Sequence, residues 1–203
     1  MKSFQPKEPD SNGSGGSGSD DFHGQKRRNA THASTTDPEA RLYRKGRGKP
    51  AQLCYMGHVL MENWNGLAVA AQVTPANGLA EREVALAMIN AAAVPPNATL
   101  GADKAYHAWS FRQALEDRGL IAHTALRYEY GWSGKKIVPP PGYDASQRAR
   151  KRIEEIFGWV KVVAGLSKTK FRGRRRVAQS FNLAVAAYNL VRLSNLLNAE
   201  HAT

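Results

Sequence analysis

Two acidic residues stand where a carboxylate could do chemistry. Asp103 directly follows the apolar run 98–102, which predicts a short buried strand that ends at a carboxylate. Sheets of α/β proteins tend to place their functional sites at such strand ends. Glu154 lies within residues 146–164, a segment with helical periodicity. Because Mg²⁺ prefers carboxylate oxygens as ligands, Asp103 and Glu154 together predict a metal site.

Two basic residues share a helix stripe with Glu154. At about 100° per residue, Arg150, Glu154 and Lys161 fall within roughly 40° of one another. The stripe borders an apolar face, expected in the core, that consists of Ile153, Ile156, Phe157, Val160, Val163 and Ala164. Metal ions held by carboxylates can activate water and stabilise a leaving oxygen in phosphodiester cleavage. A cation beside them can hold the phosphate, so this stripe is typical of phosphodiester chemistry.

Each acidic residue also has a purely structural interpretation. Asp103 could cap or turn the chain before the next helix. Arg150 and Glu154 could form an ordinary i,i+4 ion pair on a helix flank, worth about 0.2–0.5 kcal/mol. The residue types and their spacing leave both interpretations open.

The elements that must position these residues alternate between strands and helices. Strands are predicted over residues 52–61, 67–73, 98–103 and 120–126, and helices over residues 80–93, 109–118, 146–164 and 177–197. Residues 62–66 have turn chemistry and predict a hairpin, and residues 127–142 predict a loop. The last helix is apolar around most of its circumference, so it is expected to be well buried. This order of elements predicts an α/β fold.

The first 40 residues differ from the rest of the chain. Residues 1–40 hold only six apolar residues, and eight of the nine positions in 11–19 are Gly or Ser. Such a segment cannot bury enough apolar surface to offset its chain entropy. A flexible segment over 1–40 and one domain over 41–203 are therefore predicted.

The charge of the chain points to a polyanionic partner. Lys and Arg number 29 against 17 acidic residues, which gives a net charge of +12. Charge alone leaves DNA, RNA and an anionic membrane surface open. Residues 148–176 hold eleven Lys or Arg and two acidic residues, and 168–176 is the densest part. The residues expected to contact phosphate are Arg150, Lys161, Lys168, Lys170, Arg172, Arg174, Arg175 and Arg176.

The sequence lacks the residue patterns of several other classes of protein. A single cysteine, Cys54, and six histidines without a close pair predict neither a disulfide scaffold nor a zinc site. A Gly-x4-Gly-Lys-Ser/Thr loop for nucleotide phosphates is missing from the sequence. With no signal peptide and no long apolar run, a cytoplasmic, nucleoid-associated location is expected.

Four segments in order resemble one family. The pattern Arg150-x3-Glu154-x6-Lys161 is similar to the glutamate-bearing signature of bacterial insertion-sequence DDE transposases. Residues 33–42, 101–106 and 187–193 resemble the same family. The resemblance runs from residue 1 to about residue 197 without large gaps.

The resemblance implies a fold, a site and partners. The fold would be a ribonuclease-H-like mixed sheet with flanking helices, and the reaction would be metal-dependent cutting and joining of DNA at the ends of an insertion sequence. Asp103 corresponds to the family's second aspartate and Glu154 to its glutamate, and both would bind Mg²⁺ or Mn²⁺. Arg150 and Lys161 match the accompanying basic residues. The partners would be double-stranded DNA and either full-length transposase or a second copy of the chain.

The departures from the family pattern are as informative as the matches. The family's first aspartate lies in an Asp-Gly-Thr strand that would precede Met1, so a partial, N-terminally truncated domain without its first strand is expected. Such a domain would be inactive alone, and a non-catalytic DNA-binding or regulatory remnant is the alternative. Asp37 could replace the missing acid only poorly, because it belongs to a separate family segment. Gln147 stands where many relatives have tyrosine.

Overall fold

The computed structural model describes residues 3–7, 27–46, 48–78, 80–128 and 135–200. Within these ranges the strands form three small sheets. The first is an antiparallel pair of β1 (Phe4–Pro6) and β2 (His32–Ser34), and the second is an antiparallel sheet of β3 (Arg41–Tyr43), β4 (Gln52–Met61) and β5 (Ala68–Pro75). The third is a parallel pair of β6 (Thr99–Ala102) and β7 (Ile121–Thr124).

Helices follow the strands and cover them. They are α1 (Ala80–Ala91), α2 (Trp109–Glu116), α3 (Tyr143–Arg150), α4 (Ile153–Val162) and α5 (Arg174–Glu200), with a short 3₁₀ turn at Lys104–Tyr106. Antiparallel and parallel strands thus occur in one chain, and helices flank them. The predicted α/β class with a mixed strand arrangement is confirmed.

The hairpin of β4 and β5 forms where the sequence predicts it. Both alternating sets of residues in β4 are apolar, as suits a strand that packs on two sides. One side of β4 and β5, through Met56 and Leu60, packs against α1, and the other, through Val59, packs with α4 and α5. Gly57 allows the close approach of α5, because a Cβ there would stand 2.8 Å from the Phe181 ring.

Two apolar clusters form most of the core. In the first, Ile156 and Val160 of α4 pack against Phe181 and Tyr188 of α5 and against β5. In the second, α1 and α2 cover the parallel pair β6–β7 around the fully buried Leu115. Helix α1 also packs on the β4–β5 hairpin, so it connects the two sheets.

The single helix predicted over 146–164 is wrong. Two helices occupy this region, and they meet at Lys151 and Arg152. The backbone N–H of Arg152 donates to the carbonyl of Ala149 and that of Glu154 to the carbonyl of Lys151, at 3.0 Å in both cases. These i→i−3 bonds tighten one turn. The two helices have different partners, since α3 packs on β6 and β7 whereas α4 packs on α5.

The last helix is less buried than the sequence predicts. One face of α5 packs on β5 and α4 through Val177, Phe181 and Tyr188. On another face Leu183 is 72% exposed and Leu190 is 68% exposed. Apolar residues occur on several faces of this helix, but the described residues cover only one of them.

The described part of residues 1–40 is structured. The Phe4 side chain is buried and stacks on the His32 ring at a centroid distance of 5.4 Å. Residues 27–40 contain β2 and contact the start of α5 through Asp37 and Glu39. The Gly/Ser-rich stretch 11–19 lies outside the described residues.

A further finding concerns membranes. None of the helices in the described ranges combines the length and the apolar character that crossing a bilayer requires.

Candidate functional site

Asp103 lies directly after β6, where its side chain is exposed. Its Oδ1 accepts the backbone N–H of Ala105 at 2.8 Å and so caps the 3₁₀ turn that follows. The capping role considered for this residue is therefore present in the structure. The Asp103 oxygen Oδ1 is thus occupied by a hydrogen bond within the turn, but the carboxylate as a whole remains exposed to solvent at the end of β6.

Helix α3 lies directly against the strand that leads to Asp103. A Cβ on Gly101 would stand 2.9 Å from Ser146 Oγ and 3.5 Å from Arg150 Cβ. Glycine at position 101 therefore permits the close contact between β6 and α3. This contact brings the Arg150 segment of the signature beside the strand that carries the aspartate.

Arg150 is held by a neighbour other than Glu154. Its Nε donates to Gln147 Oε1 at 3.1 Å, and Gln147 Nε2 in turn donates to the backbone carbonyl of His123 in β7. Within the described ranges, the one ion pair joins Arg174 and Glu39. The interpretation of Arg150 and Glu154 as a salt-bridged helix flank is thus wrong, and Gln147 positions the guanidinium.

Glu154 and Lys161 both belong to α4 and are exposed. Glu154 lies in the first turn, where the partial positive charge of the helix end favours a carboxylate. Ile156 and Val160 of the predicted apolar face are buried, whereas Val163 is exposed, in contrast to the prediction. Glu154 is accordingly directed to solvent while the opposite side of α4 faces the core.

Two groups that sequence patterns do not identify lie near Asp103. Burial, and secondly the negative charge of Asp103, raises the pKa of Glu81 in the first turn of α1. Burial, followed by the charges of Glu81 and Asp103, raises the pKa of the Tyr106 hydroxyl. These three side chains therefore share one electrostatic environment at the end of β6. Glu81 and Asp103 are far apart in sequence, so only the tertiary structure could identify this pair.

The grouping of the acidic residues determines whether they could form a metal site. In the part of the chain that the structure describes, no three His, Cys, Asp or Glu side chains lie together as potential ligands of one ion. Within these residues, neither Asp103 nor Glu154 therefore belongs to a group of three potential ligands. The described residues do not complete a two-metal centre.

A cluster of basic residues lies on the surface near the start of α5. Lys168, Lys170 and Arg172 lie in the connection between α4 and α5. Arg174, Arg175 and Arg176 follow in the first turn of α5, and all six side chains are exposed. Together these six residues are called the basic segment. Their exposure leaves them accessible to phosphate groups.

Two carboxylates hold the end of the basic segment in place. Asp37 Oδ2 accepts the backbone N–H of Gly173 at 3.2 Å, and Glu39 Oε2 accepts that of Arg174 at 2.8 Å. Arg174 Nε also lies 3.6 Å from Glu39 Oε1. Carboxylates at a helix N-terminus are favourable, and here they offset the arginines of the first turn. A cavity of about 410 Å³ between β5 and α5 opens beside Arg174 and Arg175.

Comparison with known proteins adds three findings. The family model described as "Transposase DDE domain" matches residues 29–190, a range that includes Asp103, Glu154 and the whole basic segment. The search of curated proteins returned no match. Among solved structures, the catalytic core domain of BIV integrase is similar, with 18% sequence identity, a TM-score of 0.41, and coverage of 73% of this chain and 89% of that chain.

Proposed function

Because the chain belongs to the Transposase DDE domain family, we propose that it acts on DNA in transposition. The reaction that membership implies is metal-dependent cutting and joining of DNA strands at insertion-sequence ends, with Mg²⁺ or Mn²⁺ as the metal. The observation that carries the proposal is the family match over residues 29–190, which contains the Arg150, Glu154 and Lys161 signature.

The proposal assigns roles to the signature residues. Asp103 and Glu154 are the carboxylates that would contact metal, and Arg150 and Lys161 are the cations that would contact DNA near them. Three features support this assignment: both carboxylates are exposed, α3 lies against the strand before Asp103, and Lys161 is on the same helix as Glu154.

The basic segment is proposed as the main DNA-binding surface. Its six side chains are exposed, and lysine and arginine contacts to phosphates give binding that depends on salt and hardly on sequence. Because Asp37 and Glu39 fix the first turn of α5, three of the six cations project from a defined helix end. Double-stranded DNA is therefore the proposed partner.

The chain is further proposed to bind DNA without cutting it alone. This part of the proposal is supported by the grouping of the acidic residues, since neither Asp103 nor Glu154 belongs to a group of three potential metal ligands within the described ranges. It favours a DNA-binding or regulatory role over independent strand cleavage, and pairing with full-length transposase would then supply the missing chemistry.

A nicking assay tests the absence of cleavage. The purified chain is incubated with supercoiled plasmid and Mg²⁺ or Mn²⁺, with the Glu154→Gln variant in parallel. We expect no relaxed plasmid from either protein. Clear nicking by the wild-type chain that Glu154→Gln abolishes would overturn the non-cleaving role and support Glu154 as a catalytic residue.

A binding assay tests the DNA-binding surface. Lys168, Lys170 and Arg172 are changed together to Gln, and the matched control changes three exposed cations between β3 and β4, which are Arg44, Lys45 and Lys49. The first triple variant should weaken duplex binding and reduce the salt slope by up to about 0.9 per lost phosphate contact. An equal loss of duplex affinity in the two triple variants would show that the basic segment is not the specific DNA-binding surface.

A further inference from the structure

The turn between β4 and β5 presents an unusually exposed aromatic side chain. Trp64 is 88% exposed, the largest value for a large apolar side chain within the described ranges. Isolated apolar side chains on a protein surface are common and need no explanation by themselves. The backbone beneath Trp64 distinguishes it from such residues.

The carboxylate of Glu62 fixes this turn from the inside. It accepts the backbone N–H groups of Trp64 at 2.7 Å, Asn65 at 2.9 Å and Leu67 at 2.8 Å. Gly66 adopts φ +72°, which closes the turn in a conformation that glycine tolerates well. A single acidic side chain thus satisfies most of the donors of the turn.

Two arginines fix the same turn from outside. Arg152, between α3 and α4, donates to the carbonyls of Asn63 at 3.2 Å and Trp64 at 2.9 Å. Arg192 of α5 donates to the carbonyl of Asn65 at 2.7 Å. In an ordinary exposed turn, water could act as the donor to these carbonyls. The two arginines therefore do more than satisfy the carbonyls, because they also connect the turn to the α3–α4 junction and to α5.

The turn is also firmly connected to α5 at its base. Asn189 forms a reciprocal pair with the backbone of Ala68, at 2.9 Å to its N–H and 2.8 Å to its carbonyl. The Tyr188 hydroxyl donates to the carbonyl of Gly66 at 3.4 Å. The Trp64 indole is therefore presented to solvent by a backbone already ordered, and a ligand that it contacts need not order the turn.

The charges around the turn indicate which part of DNA it would contact. Arg152 and Arg192 are basic, but Glu62 lies within the turn and the charge of Glu155 acts on the adjacent Tyr188. The positive and negative charges around the turn are balanced. We therefore expect the basic segment, and not this turn, to attract the DNA phosphates. An exposed indole contributes instead a flat apolar face, which suits the face of a base.

We propose that Trp64 stacks on an unpaired base at the end of bound DNA. This inference rests on the proposed function. Stacking on aromatic side chains stabilises single-stranded nucleic acid in a sequence-tolerant way, because every base has a π face. The turn also contacts Arg152, two residues before Glu154, so a base held at Trp64 would belong to DNA that continues toward α4.

The test compares two DNA ends and two exposed tryptophans. Fluorescence anisotropy measures binding to a blunt duplex and to the same duplex with a short single-stranded 3′ overhang. Wild type, Trp64→Ala and Trp64→Phe are compared with Trp109→Ala, since Trp109 is 78% exposed at the start of α2 and serves as the matched control. Thermal melting confirms that each variant folds.

Trp64→Ala should bind the overhang DNA about 5- to 100-fold more weakly while blunt-duplex binding is unchanged. Trp64→Phe should retain most of the affinity, and Trp109→Ala should match wild type on both DNAs. The inference is overturned if Trp64→Ala binds the overhang as wild type does or loses equal affinity on both DNAs. It is also overturned if its main effect is on self-association. If the wild type binds neither DNA, the proposed function itself fails as well.

Discussion

The Tyr55 hydroxyl donates a hydrogen bond of 2.6 Å to Oδ1 of Asp37. Because Oδ2 of the same carboxylate accepts the N–H of Gly173, Asp37 joins β4 to the beginning of α5. Burial, and then the hydrogen bond and charge of Asp37, raises the pKa of Tyr55. Both oxygens of Asp37 therefore have structural partners.

Asp37→Asn should lower the stability of the fold. The variant loses the charge that favours the N-terminus of α5 and weakens two hydrogen bonds, a cost of about 1–2 kcal/mol. Urea denaturation measures the change, with Asp117→Asn at the end of α2 as the matched control. A stability equal to wild type would show that Asp37 does not fasten α5.

Glu62→Gln should remove a pH-dependent part of the stability. Burial alone would raise the pKa of Glu62, but hydrogen bonds from the backbone N–H groups of residues 64–67 outweigh it and lower the pKa below 4.5. A carboxylate with a lowered pKa stabilises the fold above its ordinary pKa, and the contribution is lost as the pH falls through the folded value.

The stability difference between wild type and Glu62→Gln should therefore be about 1 kcal/mol at neutral pH and shrink in acid. Chemical denaturation at several pH values between neutral and about pH 3 measures it. A difference that stays constant over this range would contradict the assignment of the pKa shift to the charged Glu62.

Gly101→Ala and Ser146→Ala should have coupled effects on stability. Ser146 Oγ is buried without a hydrogen-bond partner in the described structure, so its removal should be neutral or stabilising by up to about 1 kcal/mol. A Cβ at position 101 would press on that same atom, so Gly101→Ala should cost about 1–3 kcal/mol. In the double variant the cost should be smaller, which a double-mutant cycle detects. If the two changes in the free energy of unfolding add strictly, the Cβ introduced at position 101 does not clash with Ser146 Oγ.

His123→Leu should reduce the acid sensitivity of the fold. The ring is 1% exposed, neither ring nitrogen has a partner among the described residues, and burial lowers the pKa. A histidine with a lowered pKa leaves stability intact above about pH 6.5, and stability falls as the pH drops through that value toward the folded pKa. Urea midpoints at about pH 8 and about pH 5 should differ less in His123→Leu than in wild type. An equal drop in both proteins would assign the acid sensitivity to other groups, such as His58.

Local sequence patterns correctly predicted strand β4, the start of helix α1 and the strand end at Asp103. The bounds of β4 agree with the predicted strand over residues 52–61, because apolar residues on both alternating sets are bounded by turn chemistry. Helix α1 begins at Ala80 as predicted, where Asn77 caps its first N–H. The placement of Asp103 at a strand end followed from the same kind of evidence.

Features that depend on tertiary packing could not be predicted from these patterns. The division between α3 and α4 arises because the two helices pack on different partners, although helical periodicity continues through the sequence. The exposure of Leu183 and Leu190 likewise depends on which elements cover α5. Glu81 and Asp103 interact through the packing of α1, and nothing in their spacing reveals it.

The tightened turn at Lys151 and Arg152 has a consequence for how the signature tolerates changes in length. Since each residue of an α-helix turns the chain by about 100°, inserting or deleting one residue at this turn would rotate Glu154 by that angle relative to Arg150. The same change would withdraw the Arg152 guanidinium from the carbonyl of Trp64. A substitution of Lys151 would change one side chain, whereas a one-residue insertion would both reorient Glu154 and loosen the hairpin.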